Sequence, residues 1–323
     1  MSEQKLEKFA KYFAKGSRLS ELYPIEIIDA YTYIINLPNQ NRAVDRPCDL
    51  SFFFLIHGDE IVGIDLVLEL LRLLETQIVS LEGLSIGIGL GNIEAYKKKK
   101  RHLGIDLNRS FGTELSDPTL SQRVESLQKL SDNSKVLVDF HQTESYTAWP
   151  FYISRYEEIS YKLFRQIHPN LKVVTYFEKN FTSQGMTTIN YHLSRGGIGF
   201  GMELGEQGED QYQKSLGIST ILKLIGFLKK TDWQERLKRK IVNFDNVFSL
   251  EDPVSVDLAE DNLIVNSRLH DLKYIKKGDL IYSLNGSERH ATKSGYIVFV
   301  KKHNLENSSG KFELFRYLKQ VGV

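Results

Sequence analysis

His57 and Glu60 stand three positions apart in His57-Gly58-Asp59-Glu60, immediately after the apolar run of residues 52–56. His141 follows a second apolar run, residues 136–140, in VLVDFHQT. Two neutral imidazoles and one carboxylate make three ligands for a zinc ion, and the open fourth position then holds water. The metal lowers the pKa of that water towards neutrality. Each piece is weak alone. A His-x-x-Glu pair arises often by chance, and a lone His at a strand end is more often a hydrogen-bonded structural residue. Their coincidence at the ends of two apolar runs is the stronger signal.

Between them lies Arg101-His102-Leu103-Gly104-Ile105-Asp106-Leu107-Asn108-Arg109. Arg109 offers a planar fork for a carboxylate, and Asn108 adds amide donors. Arg101 suits a developing oxyanion beside a metal. The plain alternative is a solvated basic loop, since the lysine run of residues 97–100 precedes it. That run is assigned to solvent, because it lacks the interleaved aromatics of a nucleic-acid patch. Glu203 ends a further apolar run in Gly201-Met202-Glu203-Leu204-Gly205-Glu206-Gln207-Gly208. A carboxylate there can take a proton from an activated water and pass it to a leaving amine. Its alternative is an ion-paired strand-end glutamate, and Glu206 competes for the role.

These residues need elements that bring them together. The periodicity predicts strands at residues 52–56, 84–90, 136–140, 172–177 and 198–204. It predicts helices at 60–76, 120–130, 157–168 and 210–230. Strands alternating with crossover-length helices imply an α/β fold, its mostly parallel sheet covered by helices on both faces. In such a sheet ligands bind beyond the carboxyl ends of the strands. His57, His141 and Glu203 all fall at such ends. Beyond residue 240 the apolar runs shorten to VFSL, LIV, LIYSL, GYIVFV and FELF, separated by turn residues. That is an all-β pattern. A boundary is expected near residues 235–240, giving a catalytic α/β domain over 1–238 and a small C-terminal β domain over 239–323.

The 323-residue chain is long enough for a sizeable core, and a net charge of +1 gives no reason to expect nucleic acid or an anionic membrane. A single cysteine, Cys48, excludes an internal disulfide framework and a cysteine-rich zinc site. The N-terminus MSEQKLEKFAKYFAKGS has no apolar core of a signal peptide, and no apolar run approaches a membrane span. A cytoplasmic protein is expected, and a homo-oligomer is left open.

With these elements in order, the chain resembles the succinylglutamate desuccinylase/aspartoacylase branch of the zinc carboxypeptidase-like family. The matching pieces are HGDE, R-x4-D-L-N-R-S-F from Arg101 to Phe111, DFHQT and GMELGEQG. The segment IKKGDLIYSLNGSERHATKSGYIVFVKK is similar to that family's small β domain, so only the first ~25 residues stay unassigned. Two departures are Asp59, where many members carry Asn, and Asn92-Ile93, where Asn-Pro is common.

The resemblance implies one Zn2+ per chain, held by His57, Glu60 and His141. It implies that Arg101 polarises the scissile carbonyl, that Asn108 and Arg109 hold a substrate carboxylate, and that Glu203 is the general base and acid. Asp106 becomes an orienting group, Asp139 an outer partner of a ligand imidazole, and Arg195, in GMTTINYHLSRGG, a further substrate contact. The implied substrate is a small N-acyl amino acid, N-succinylglutamate first and N-acetylaspartate second, with a peptide carboxy-terminus third. Two non-enzyme readings compete: a metal-binding relative without catalysis, and an interaction protein acting through its β domain. Retention of Glu203 and Arg101 favours the enzyme.

Overall fold

The N-terminal segment that the sequence leaves unassigned forms two helices, α1 (Ser2–Tyr12) and α2 (Arg18–Leu22). Leu6, Phe9 and Tyr12 recur at helical spacing on α1 and are buried in the main core. Ser17 caps α2, its hydroxyl accepting from the Ser20 amide. The computed structural model describes residues 2–36, 46–176, 185–238, 246–258, 263–301 and 310–321.

A hairpin of β1 (Ile25–Asp29) and β2 (Thr32–Ile35) follows. The chain then runs through β3 (Cys48–Phe54), α3 (Val62–Glu75), β4 (Ile86–Leu90), α4 (Ile93–Lys97) and α5 (Pro118–Asp132). Next come β5 (Ser134–Thr143), β6 (Phe151–Arg155), α6 (Glu158–Ile167) and β7 (Lys172–Tyr176). After these stand α7 (Thr188–Ser194), β8 (Ile198–Glu206), α8 (Gln211–Leu228) and α9 (Trp233–Lys238). The expected strands and helices of this half are all present, with shifted ends. The strand expected to reach residue 56 stops at Phe54, because Leu55 turns to a φ of 56° and breaks the extended backbone. Phe177, the expected end of β7, and the expected boundary after residue 238 lie at segments outside the described residues. The sequence did not single out α4, α7, α9 and β6, which are short.

The last part contains only strands among the described residues: β9 (Val247–Leu258), β10 (Leu263–Val265), β11 (Tyr274–Ile275), β12 (Leu280–Leu284), β13 (Ser287–His290), β14 (Gly295–Val298) and β15 (Gly310–Gln320). Twelve described strands form one sheet in the order β1-β2-β4-β3-β5-β8-β6-β7-β9-β15-β14-β11. At its centre β4, β3, β5 and β8 run parallel. The C-terminal strands join through a parallel β7–β9 pairing and continue antiparallel. The strands β10, β12 and β13 make a separate small sheet.

Period-two alternation decides which face each side chain takes. Val136, Val138 and Phe140 of β5 enter the large core, together with Phe52 and Phe54 of β3 and Phe200, Met202 and Leu204 of β8. Phe53 and Leu137 point the other way, into a second core beneath α5 and α7. Asp139, His141 and Glu203 share the parity of that second face.

Candidate active site

The loop leaving β3 brings the first ligand-type residues into place. Gly58 donates its N–H to the Arg101 carbonyl at 3.0 Å. A Cβ on Gly58 would lie 2.3 Å from backbone atoms of Ala95 and Tyr96, so only glycine permits this approach. The contact fixes His57 beside the segment that carries Arg101, Asp106 and Arg109. Asn92, at the end of β4, caps α4 by accepting from the Ala95 amide, which steadies the same corner.

Three buried side chains then converge. His57 Nδ1 lies 2.5 Å from Glu60 Oε1, and His141 Nδ1 lies 2.9 Å from Glu60 Oε2. One ligand atom from each of the three can be chosen so that all lie within 4.8 Å of one another. The outer nitrogens are engaged elsewhere: His57 Nε2 is 3.3 Å from Asp106 Oδ1, and His141 Nε2 is 2.8 Å from Asp139 Oδ2. A carboxylate behind each imidazole leaves Nδ1 for the centre, as in metal sites whose ligands are oriented from outside. Burial and the Arg101 charge push the His57 imidazole down, yet Glu60 and Asp106 outweigh them and raise it. Asp139 and Glu60 likewise overcome burial and hold His141 well above its usual range. Burial works to raise the Glu60 carboxyl, but the two imidazoles pull it low. The two imidazole shifts say that positive charge is favoured at this centre, and the low carboxyl keeps Glu60 ionised beside it. The nitrogen and oxygen donor set, the spacing and this field together fit a divalent cation of the zinc type.

Asp106 does two jobs. Its Oδ1 accepts from the Asn108 amide at 2.8 Å, capping the short 3-10 turn Leu107–Arg109, while it faces His57. Asn108 Oδ1 accepts from the Thr188 amide at 3.0 Å, tying that turn to the start of α7. The Thr188 hydroxyl donates to Asp139, so α7 also braces the partner of His141. Arg101 Nη2 lies 2.9 Å from His57 Nε2, and Nη1 lies 3.5 Å from Glu60 Oε1. Against the effect of burial, Asp106, Glu60 and Glu144 keep its guanidinium firmly charged.

Glu203 pairs in register with His141 across β5 and β8. It is 9% exposed, and its Oε2 is buried with no hydrogen-bond partner. Burial pushes its carboxyl up to about 7; the His141 charge opposes this and the Glu60 carboxylate adds to it. Its competitor Glu206 is exposed at the strand end and lies off the cavity.

His57, Glu60, His141, Arg101, Asn108, Arg109 and Glu203 line one cavity of about 370 Å³. Arg195 is not brought there, which corrects the expectation of a substrate contact. It follows α7, more than half exposed, 3.4 Å from Asp132 and stacked on the Tyr191 ring. Asp132 lies just before β5 and His141 near that strand's other end, so Arg195 sits at the end of β5 away from the metal-type cluster. The sequence reading missed other lining residues: Glu144, Tyr176, Asp271, Lys301, Glu313 and Arg316. Most are lone charges in a β-rich texture. No spacing rule marks Asp271, Lys301, Glu313 and Arg316, because they reach the cavity only through the packing of the C-terminal strands, whereas Glu144 directly follows β5 and Tyr176 ends β7.

The sequence profile of the succinylglutamate desuccinylase/aspartoacylase catalytic domain matches residues 55–224, more than half of the chain. No curated protein matches by sequence. Among solved structures, the succinylglutamate desuccinylase from Vibrio parahaemolyticus is similar, with a TM-score of 0.67 at 13% identity, covering 96% of each chain. Murine aminoacylase 3 superposes with a TM-score of 0.61 at 16% identity, over 86% of this chain and all of its own. The ectoine utilization protein EutE (DoeB) from Ruegeria pomeroyi gives 0.60 at 16% identity, over 88% of each chain. At these identities the structures establish the shared fold, mixed α/β with a zinc-carboxypeptidase-like sheet, and the profile establishes kinship. The chain belongs to the succinylglutamate desuccinylase/aspartoacylase family of deacylases.

Proposed function

We propose that the protein is a zinc-dependent hydrolase that splits the amide of a small N-acyl amino acid. The observation that carries this is the convergence of His57, Glu60 and His141 with the unpartnered, buried Glu203 in one cavity that also holds Arg101 and Arg109. His57, Glu60 and His141 hold the zinc in this reading. A bound zinc supplies Lewis acidity, easing loss of a proton from water and polarisation of the acyl carbonyl.

The residues of the chain do the rest. Glu203 accepts a proton from the attacking water and later delivers it to the departing nitrogen. A carboxyl poised near neutrality serves both directions. The oxygen of water bonds to the acyl carbon, the carbon–nitrogen bond breaks, and the products are a free acid and an amino acid. Arg101 faces the place where negative charge develops. Arg109, with the Asn108 amide, clamps the substrate carboxylate and sets its distance from the reacting carbonyl.

N-succinylglutamate is the first substrate to assay, N-acetylaspartate the second and a peptide carboxy-terminus the third. The division into 1–238 and 239–323 belongs to the same proposal, with the second part closing the cavity. The test measures bound metal on the purified full chain together with amine release from each substrate. About one zinc per chain with turnover of one substrate supports the reading. Failure of the chain to bind zinc after reconstitution would end it.

A further inference from the structure

Several lining residues, among them Asp271, Phe299 and Lys301, come from beyond the catalytic-domain match. Asp271 is wholly buried where this part meets the loop that follows the His141 strand. Its own N–H donates to the Tyr146 carbonyl at 2.9 Å, and it forms an isolated parallel bridge with Thr147. On the other side, its Oδ1 accepts from the Val300 N–H at 2.7 Å. The next residue, Leu272, donates to the Ile297 carbonyl at 2.7 Å. One residue therefore grips both segments.

The gripped turn is strained. Phe299 has a φ of 59°, a left-handed conformation that a bulky side chain rarely adopts. It persists where its surroundings over-determine it, and the bond from Val300 to Asp271 is the restraint next in the chain. Beyond the turn, Lys301 lies 3.8 Å from Glu144, and Glu144 lies 3.7 Å from Arg101.

We propose that Asp271 is a positioning residue, which latches the turn of residues 299–301 to the loop after the His141 strand and so sets the wall that substrate meets. Burial raises the Asp271 carboxyl well above the usual range; the Val300 N–H opposes this, and the Glu203 carboxylate adds to it. Asparagine, which matches the neutral acid in shape and keeps an acceptor for Val300, is thus the conservative variant.

Only the kinetic half of the test rests on the deacylase reading. Amide hydrogen exchange is measured on the zinc-loaded full chain for wild type, Asp271→Asn and Asp271→Ala. The wild-type Val300 amide should be protected. Asp271→Ala should speed exchange across residues 296–301 at least tenfold, leave residues 57–60 unchanged, and raise KM at least tenfold with kcat within threefold. Asp271→Asn should stay within threefold of wild type throughout. Exchange of the wild-type Val300 amide at open-loop rates would overturn the latch even if the alanine variant does not fold. So would wild-type exchange and KM in Asp271→Ala, or both variants losing kcat at unchanged KM. If no acyl amino acid is hydrolysed, the exchange data still decide the latch, and the two failures are read separately.

Discussion

Glu203 concentrates the chemistry of the site in one side chain, buried with an unpartnered oxygen beside His141. Replacing it with Gln removes the proton carrier and preserves its shape. Turnover should fall by about 10²- to 10⁴-fold while bound metal stays at the wild-type level. Metal content measured beside the rate separates this from loss of the centre, and an active Glu203→Gln would refute the assignment. Arg109→Lys keeps the charge and loses the planar fork, so KM should rise at least tenfold with a smaller change in kcat. An unchanged KM would place the carboxylate elsewhere. HGDE and DFHQT were legible in the sequence because ligand-type residues stand directly after apolar strand runs, and DLNR because a planar fork and an amide stand side by side in it. Arg195 was misread because a motif-like neighbourhood says nothing about which end of a strand a helix reaches. Asp271 was invisible because tertiary pairing alone gives it a role.

At the scale of elements, the corner between β3 and α4 depends on the absence of one Cβ. Gly58→Ala must push against backbone, not against a flexible side-chain tip. It should destabilise the fold by about 1–3 kcal/mol and weaken metal retention, seen as a lower Tm and a faster loss of metal to a chelator. Gly226→Ala, where the added Cβ meets nothing within 4 Å, is the control.

The helix α7 braces Asp139 from one side and buries His192 on the other. His192 Nδ1 lies 3.0 Å from the Ser131 hydroxyl, and burial, with Arg46 nearby, lowers the imidazole to about 4. Its folded pKa is depressed, so the unfolded chain binds the proton more readily. The stability it contributes is present above about pH 6.5 and is lost as pH falls towards 4. The Tm difference between wild type and His192→Gln should therefore shrink across that window. A difference independent of pH would show that His192 does not titrate as its burial demands. The long elements were legible from periodicity, whereas α4, α7 and α9 are too short for a helical period to stand out.

In the molecule as a whole, one sheet carries both the metal-type cluster and the wall that faces it. Beyond the change of sequence texture near residue 240, the strands β9, β15, β14 and β11 pair antiparallel with one another. The texture gave no sign that β9 would lie along β7 and extend the same sheet. A chain ending at residue 238 would leave β7 as a bare edge and the cavity without its C-terminal wall. It should self-associate, as light scattering would reveal, and turn over no substrate. A monodisperse, active fragment would show that the last strands are dispensable.

That continuity also orders events in time. His57, Glu60, His141 and Glu203 leave the ribosome before any residue of the wall at 271–316. While a nascent chain folds from its N-terminal end, every donor of the centre is in place and its mouth stands open. Metal has its widest route of entry in that interval. Docking of the last strands then narrows the route, so a stalled nascent chain should take up zinc faster than the released protein.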